Sequence, residues 1–530
     1  MPGGGAGDAG TEGGIEAGTE SGLLDGASDA PGDGTVDSAQ DGATDGGAED
    51  VVLSNDGGTA DSANENDAAE DAPNDAPQAP DGPPVCGDGW RDPPPSEEEC
   101  DEGMLAPGAR RGCSTECQVL DVLAIVGPSD AAIVTRTIDV GRHPIAVTDT
   151  GEYAVAFEEP YATPLAVNIA TFGPSGVPSN VVTSVVGTSN PEMGANPVLA
   201  GLSAGRYVAA FNEFGGDGDE LGVALQIVSA GNAPTGAPTF ANATTVFSQY
   251  DADILAVGGQ IVVAWTDGSN AATAPDLRYR VFDGSLNATT ALDQTLAATA
   301  DDEGDVALAA FGGSWAAAWR DDAAGLETIQ IATGATTWSV GPALPGPTDD
   351  KPALAALDGT HLLVVYTEGV DLTDSGVANG SKLRAAILDT AAPGSATPFD
   401  IVGTLATGLA QSQGNAIAAG GTVFVGWRTE AAAPDPGGLG EELWLKTLGW
   451  NGQAVDLTAV EIPLPRWNAH RVGDQRSPAF AASGWAPGGA LIGAWDDLGL
   501  GFGQGEANGD VAVEFMPMPV VREPGGDGGP

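Results

Sequence analysis

DILAVGGQIVVAWTDGSNAATAPDLRYRVFDGS, residues 253–285, contains one complete structural phrase. Ile254–Val257 is short, apolar and carries the small Ala256, which suits a strand crowded against its copies. Gly258-Gly259 supplies the positive φ values that a two-residue hairpin requires. Ile261–Trp265 is a continuous apolar run rich in β-branched residues, the pattern of a strand covered on both faces. Leu277, Tyr279 and Val281 then alternate with Arg278 and Arg280, which reads as a half-exposed third strand.

The phrase recurs seven times between residues 143 and 519. Its turn glycines are Gly151, Gly205, Gly259, Gly313, Gly359, Gly421 and Gly489. Its aromatics are Phe157, Phe211, Trp265, Trp319, Tyr366, Trp427 and Trp495. Glycine and aromatic stand six positions apart in every copy but the fifth, where they stand seven apart, and the first four aromatics follow one another at intervals of 54. Short strands repeated at this period predict an all-β, seven-bladed β-propeller over residues 131–519. Third strands are expected at PLAVNIATF, LGVALQIVS, TIQIAT, KLRAAIL, LWLKTLGW and VAVEF. The last copy lacks a fourth strand, and the run AAIVTRTIDVG, residues 131–141, is expected to supply it and so remove the open edges of the ring.

Composition divides the rest of the chain. Residues 1–84 contain 20 acids, no Lys, no Arg and no aromatic, too little apolar surface to offset the entropy of ordering; they are expected to form a disordered acidic stalk, and residues 520–530 a short disordered tail. The formal charge of the 530 residues is −57, and the stalk accounts for only 20 of it. Nucleic acid and anionic lipid are therefore poor partners. No run is long enough for a transmembrane helix, and the first residues do not read as a signal peptide.

All four cysteines, Cys86, Cys100, Cys113 and Cys117, fall in a module spanning 85–120. Only the last two have zinc-type spacing, so two disulfides are favoured over a metal knuckle, with three pairings open. The string CGDGWRDPPPSEEECDEG followed by GCSTEC resembles the Myxococcus cysteine-rich repeat over residues 86–117, with Glu102 in place of an Asp and MLAPGARR in place of the usual Asn- and Asp-bearing link. That resemblance implies an extracellular or surface protein of myxobacterial type, in a lipoprotein-like setting. Cysteine usage likewise points outside the cytoplasm, so an export signal is expected upstream of Met1; the alternative is a cytoplasmic protein with reduced thiols.

Two positions past each aromatic stand Glu159, Glu213, Asp267, Asp321, Glu368, Thr429 and Asp497. They read either as an acidic ring on one face or as residues that serve each blade. Asp217, Asp219 and Glu220 lie among glycines in FGGDGDELG, the hard-oxygen, flexible-backbone pattern of a calcium loop; calcium is the one cofactor the sequence suggests. Against the acidic background, Arg142 and His143 before the first copy and Arg466, Trp467, His470 and Arg471 before the last form a candidate ligand patch, with Arg for carboxylates and Trp for a sugar ring. GLSAG, residues 201–205, is a hairpin turn rather than a nucleophile elbow, and no zinc-protease, phosphate-loop or dinucleotide motif occurs. Without a catalytic constellation, the sequence favours a non-enzymatic, surface-displayed binding propeller on a stalk, its ligand a glycan, a carboxylate or a protein. The alternative is a secreted glycan-active hydrolase or lyase using face carboxylates with His143 or His470.

Overall fold

A computed structural model of the chain describes residues 111–113, 119–124 and 143–517, apart from 160–164, 174–177, 189–194, 230–232, 270–273, 324–325, 335, 346–350, 371–379, 393–395, 397, 403–409, 420, 431–440, 460, 465–474, 483–489 and 498–509. Among the described residues there is no helix, and so none long and apolar enough to cross a membrane. Every extended run forms antiparallel sheet.

Before the repeats lie β1 (Arg111–Cys113) and β2 (Val119–Ala124). The first sheet then comprises β3 (Ile145–Val147), β4 (Tyr153–Glu159), β5 (Leu165–Phe172) and β6 (Pro178–Thr188). The second holds β7 (Val198–Gly201), β8 (Tyr207–Phe214), β9 (Leu221–Val228) and β10 (Pro234–Phe240). The third holds β11 (Gln249–Val257), β12 (Gln260–Asp267), β13 (Asp276–Asp283) and β14 (Gln294–Ala297). In the fourth stand β15 (Asp302–Phe311), β16 (Ser314–Ala323), β17 (Leu326–Thr333) and β18 (Thr336–Pro345). The fifth has β19 (Ala353–Ala356), β20 (His361–Val370), β21 (Gly380–Asp389) and β22 (Pro398–Asp400). The sixth has β23 (Ala410–Ala419), β24 (Thr422–Glu430), β25 (Glu442–Trp450), β26 (Val455–Asp456) and β27 (Ile462–Leu464), the last two both paired to β25. These six sheets each use strands consecutive in sequence, the β-propeller arrangement.

The remaining sheet joins the two ends of the described chain. β28 (Gln475–Ala482), β29 (Ala490–Asp497) and β30 (Asp510–Pro517) continue into β2 and then β1. The strand that completes the last repeat is therefore Val119–Ala124, with Val122 opposite Glu514 and Ala124 opposite Ala512. This corrects the expectation for residues 131–141, which lie outside the described residues. Strand β30 has only two edges, and β29 and β2 occupy them.

The first strands of the sheets neighbour one another in the order β3, β7, β11, β15, β19, β23, β28, and β28 lies beside β3. What holds neighbouring sheets together is the repeated aromatic. Phe157, Phe211, Trp265, Trp319, Tyr366, Trp427 and Trp495 are all buried, each at 3% exposure or less. Each sits in an apolar cluster shared with the preceding sheet. Trp265 packs with Val198, Val208 and Leu225, Trp427 with Leu363, Val365 and Leu383, and Phe157 with Ile492 and Val511 of the last sheet. Burial of side chains this large contributes about 2–3 kcal/mol apiece.

The Gly258-Gly259 turn has φ values of +60° and +79°, and Val257 pairs with Gln260 as the hairpin reading requires. The fifth copy departs for a local reason. Its turn is closed by Asp358, whose Oδ1 accepts from Thr360 N and His361 N, and one added residue gives the seven-position spacing. The phrase GLSAG is a hairpin turn, with Gly205 at φ +66°.

Replacing Val122 with Pro should remove ladder hydrogen bonding between β2 and β30. A stability loss of about 3 kcal/mol in chemical denaturation, with increased aggregation from the exposed β30 edge, is the expected outcome. Unchanged stability would show that β2 does not close the ring.

Candidate active site

The axial end of the sheets carries one polar residue from every repeat at an equivalent place. His143, Asn196, Asp251, Asp305, Lys351, Gln413 and Ser477 each stand at or just before the start of the first strand's straight section. In β11, β15, β23 and β28 the register shifts there, between Tyr250 and Asp253, Gly304 and Ala307, Ser412 and Asn415, and Arg476 and Ala479. Such bulges bend the strand and re-aim a side chain. Asn196, Asp251, Asp305, Gln413 and Ser477 take φ values of +42°, +51°, +59°, +53° and +53°. Asn and Asp tolerate that region, whereas Gln and Ser enter it at a cost in strain.

Contacts among these residues cross between sheets. His143 Nδ1 lies 2.6 Å from Asp253 Oδ1, joining the first repeat to the third. The other oxygen of Asp253 accepts from Leu308 N of the fourth at 2.6 Å. Asp251 Oδ1 accepts from Asn196 Nδ2 at 2.9 Å and lies 3.6 Å from Lys351 Nζ, so the second, third and fifth repeats meet on one oxygen. Gln413 Oε1 accepts from Ser477 N at 2.8 Å, joining the sixth repeat to the last, whereas Asp305 Oδ2 is met within its own sheet by Arg320 Nε at 3.1 Å. Asp253 is wholly buried, while the Asp251 and His143 side chains keep 25% and 32% exposure. The result is a buried carboxylate that orients an accessible imidazole, beside an accessible carboxylate held between an amide and an ammonium. An imidazole fixed at Nδ1 by a carboxylate is built to move a proton at its other nitrogen.

No protein-family model and no curated protein matches the chain. Several solved structures share its general course. The α-L-arabinofuranosidase of Fusarium graminearum, solved with arabinobiose, is 12% identical, covers 74% of this chain and 98% of its own, and has a TM-score of 0.39. The polysaccharide lyase Uly1 is 9% identical over 72% of this chain and 90% of its own, at a TM-score of 0.43. The NanB sialidase of Streptococcus pneumoniae is 9% identical over 75% and 70%, at 0.37. These likenesses carry no residue correspondence to the present chain.

Of the ligand patch read from sequence, His143 is placed at the axial end. Arg142, Arg466, Trp467, His470 and Arg471 lie outside the described residues, as do Cys86, Cys100 and Cys117; Cys113 lies in β1. His143 and Ser477 hold equivalent places at the starts of neighbouring first strands. Arg476, beside Ser477, pairs with Glu441, which also binds Arg428 at 2.9 Å.

Asp217, Asp219 and Glu220, the residues of the calcium expectation, each accept from the segment that follows the second sheet. Asp217 Oδ2 accepts from Asn242 Nδ2 at 2.7 Å, Asp219 Oδ2 from Phe247 N at 2.9 Å, and Glu220 Oε2 from Ser248 Oγ at 2.7 Å. The three carboxylates thus fasten the 242–248 segment at separate points, and among the described residues no group of three or more His, Cys, Asp or Glu is arranged around a metal.

In four repeats the position two past the aromatic serves the sheet. Asp267 binds Arg278 (3.2 Å), Asp321 binds Gln330 (3.1 Å), Glu368 binds Arg384 (3.3 Å) and Thr429 binds Trp444 (3.1 Å). In each case the partner is the residue two beyond the direct cross-strand neighbour on the third strand. One diagonal clasp thus recurs in four sheets. The axial residues had their own sequence signal. His143, Asp251, Asp305, Lys351 and Gln413 each lie eight positions before the turn glycine of their copy, and Pro follows His143, Asn196, Lys351 and Ser477.

One acid pair in the fourth sheet is under electrostatic load. Glu303 is fully buried and lies opposite Asp321 in the β15–β16 register. Its Oε1 accepts from Thr299 N at 2.8 Å. Burial raises the Glu303 pKa above the usual carboxylate range, hydrogen bonds from Thr299 oppose this, and repulsion from Asp321 and Asp276 adds to it. Asp321 is raised by its own burial and by Asp301. A carboxyl whose folded pKa exceeds its unfolded value holds its proton longer in the folded state. Stability therefore falls as pH rises from the ordinary carboxylate range through that raised value. Glu303→Gln should accordingly melt at a higher temperature than the parent at pH 8, with the gap narrowing towards pH 4.5. A lower melting temperature at pH 8 would mean that the ionised carboxylate is required.

Proposed function

We propose that the protein is a carbohydrate-cleaving, seven-bladed propeller that works on neutral glycans at its axial end. The blade count takes the sheet shared by the two chain ends as the seventh blade. The observation that carries the functional reading is the axial set. Every repeat places a hydrogen-bonding side chain there, and five do so from a left-handed backbone that glycine would adopt with less strain. Strain retained at equivalent places, with the side chain kept, argues for use of the side chain.

The chemistry of the set matches a polyhydroxyl ligand. Asn196, Lys351 and Ser477 offer donors, Asp251 and Asp305 offer acceptors, and Gln413 and His143 offer both. The overall charge of −57 disfavours approach of polyanionic glycans and leaves neutral ones unaffected. For hydrolysis, a water oxygen bonds to the anomeric carbon as the bond to the leaving sugar oxygen breaks. Asp251 takes the proton that the water loses. His143, oriented by Asp253, gives a proton to the departing oxygen and recovers one from solvent. Lys351, 3.6 Å from Asp251 Oδ1, helps hold that carboxylate in place. In this reading the protein acts outside the cytoplasm, where polymeric glycans are encountered.

Incubation with a panel of soluble neutral and acidic polysaccharides, followed by reducing-end assay, tests the reading. At least one neutral polymer should be cleaved, and Asp251→Asn and His143→Asn should each lower kcat roughly 100-fold or more with unchanged circular dichroism. Binding without cleavage would identify a non-enzymatic carbohydrate-binding propeller. Cleavage confined to acidic polymers would overturn the substrate class, and neither binding nor cleavage would overturn the reading.

A further inference from the structure

The segment joining the second and third sheets, residues 241–248, is anchored at nearly every polar group. Asn242 Nδ2 donates to Asp217, to Thr244 O and to Gln249 Oε1; Ala243 N and Thr244 N both donate to Asp293. Phe247 N donates to Asp219 and Ser248 Oγ to Glu220, while Gln249 Nε2 donates to the carbonyls of Val246 and Phe247 at 2.9 and 3.1 Å. Despite this bracing, the turn presents apolar side chains outward, with Val246 51% and Phe247 41% exposed. Phe247 is also held at φ +57°, and among the described residues it alone combines a left-handed backbone with a large exposed apolar side chain. A bulky residue at such a φ is a genuine outlier. Burial of its own ring does not account for it, because the ring is substantially exposed.

We propose that Phe247 is a stacking platform for a sugar ring, an outer subsite for a glycan chain whose neighbouring part occupies the axial end; this rests on the axial reading above. Continuity supports that occupant. Phe247 precedes Asp251 by four residues, a reach of at most about 14 Å, which keeps the platform within a short oligosaccharide of the axial carboxylate. Charge supports it as well. Asp217, Asp219, Glu220 and Asp293 surround the turn and disfavour an anionic partner. An aromatic face, by contrast, suits the apolar C–H face of a neutral sugar, with the surrounding carboxylates able to accept from its hydroxyls. The braced backbone limits the entropy lost when the ring is covered.

The test compares the parent protein with Phe247→Ala, Phe247→Gly and Asp251→Asn. Soluble arabinan, xylan and mixed-linkage β-glucan, each beside its disaccharide, serve as probes in affinity electrophoresis and calorimetry. Phe247→Ala should weaken binding of the retained polymer roughly 3- to 10-fold and leave disaccharide binding unchanged. Phe247→Gly should show the same loss yet melt above Phe247→Ala, because glycine adopts φ +57° without strain. Parental polymer affinity in Phe247→Ala overturns the platform, whatever Asp251→Asn does. Loss of polymer binding in Phe247→Ala with neither binding nor cleavage changed in Asp251→Asn keeps the platform as a surface site and overturns the axial reading. Equal loss for polymer and disaccharide overturns the outer subsite, and retention of no polymer by the parent overturns both proposals.

Discussion

The structure depends on one contact repeated around a ring: the middle-strand aromatic of each sheet buried against the sheet before it. Trp265 fills the space beside Val208, Trp319 that beside Val262 and Ala264, and Trp495 that beside Phe424 and Leu443. The contact between Phe157 and the residues Ile492 and Val511 makes the series circular, because it joins the first repeat to the last. Truncating one such side chain to Ala removes about 3–5 kcal/mol in a packed core, and here it loosens two sheets at once. Pairing of β2 with β30 adds a hydrogen-bonded closure to this apolar one. With the sheets fixed against each other, the starts of seven first strands come together at one end.

That convergence gives two polar positions opposite fates. In four repeats the residue two past the aromatic finds a diagonal partner on its own sheet, so its charge or hydroxyl is consumed locally, as Asp267 is by Arg278. Several residues at the axial end find partners in other repeats. Asp251 is met by Asn196 and Lys351, and Asp253 by His143 and the backbone of Leu308. Buried charges need such partners. An axial end assembled from several repeats therefore arrives as a mixed array of donors and acceptors, with the accessible groups Asp251 and His143 at its surface.

Much of the architecture was legible in the repeat, because glycine turns and buried aromatics are local requirements that leave a periodic trace. The third strands fall where their alternating runs predict, for instance β9 at Leu221–Val228 and β25 at Glu442–Trp450. The closing strand was misplaced because VLDVLA and AAIVTRTIDVG are both strand-like, and only the register against β30 separates them. Acids at a fixed offset drew attention to the clasp position, since like residues repeat there. The axial residues are chemically unlike, His, Asn, Asp, Asp, Lys, Gln and Ser, and share only polarity and, in five of the seven, the offset from the glycine. Five of them are set by positive φ values, four of those at bulges, which sequence periodicity does not report. Composition likewise does not reveal that Asp217, Asp219 and Glu220 each have a separate donor in the 242–248 segment.

The most direct test is a crystal structure of the protein with a bound oligosaccharide from a polymer it retains. The account predicts a sugar ring at the axial end, within hydrogen-bond distance of Asp251 and of side chains from at least two other repeats, with His143 facing a glycosidic oxygen. A saccharide bound on the outer strands, with the axial side chains untouched, would contradict it.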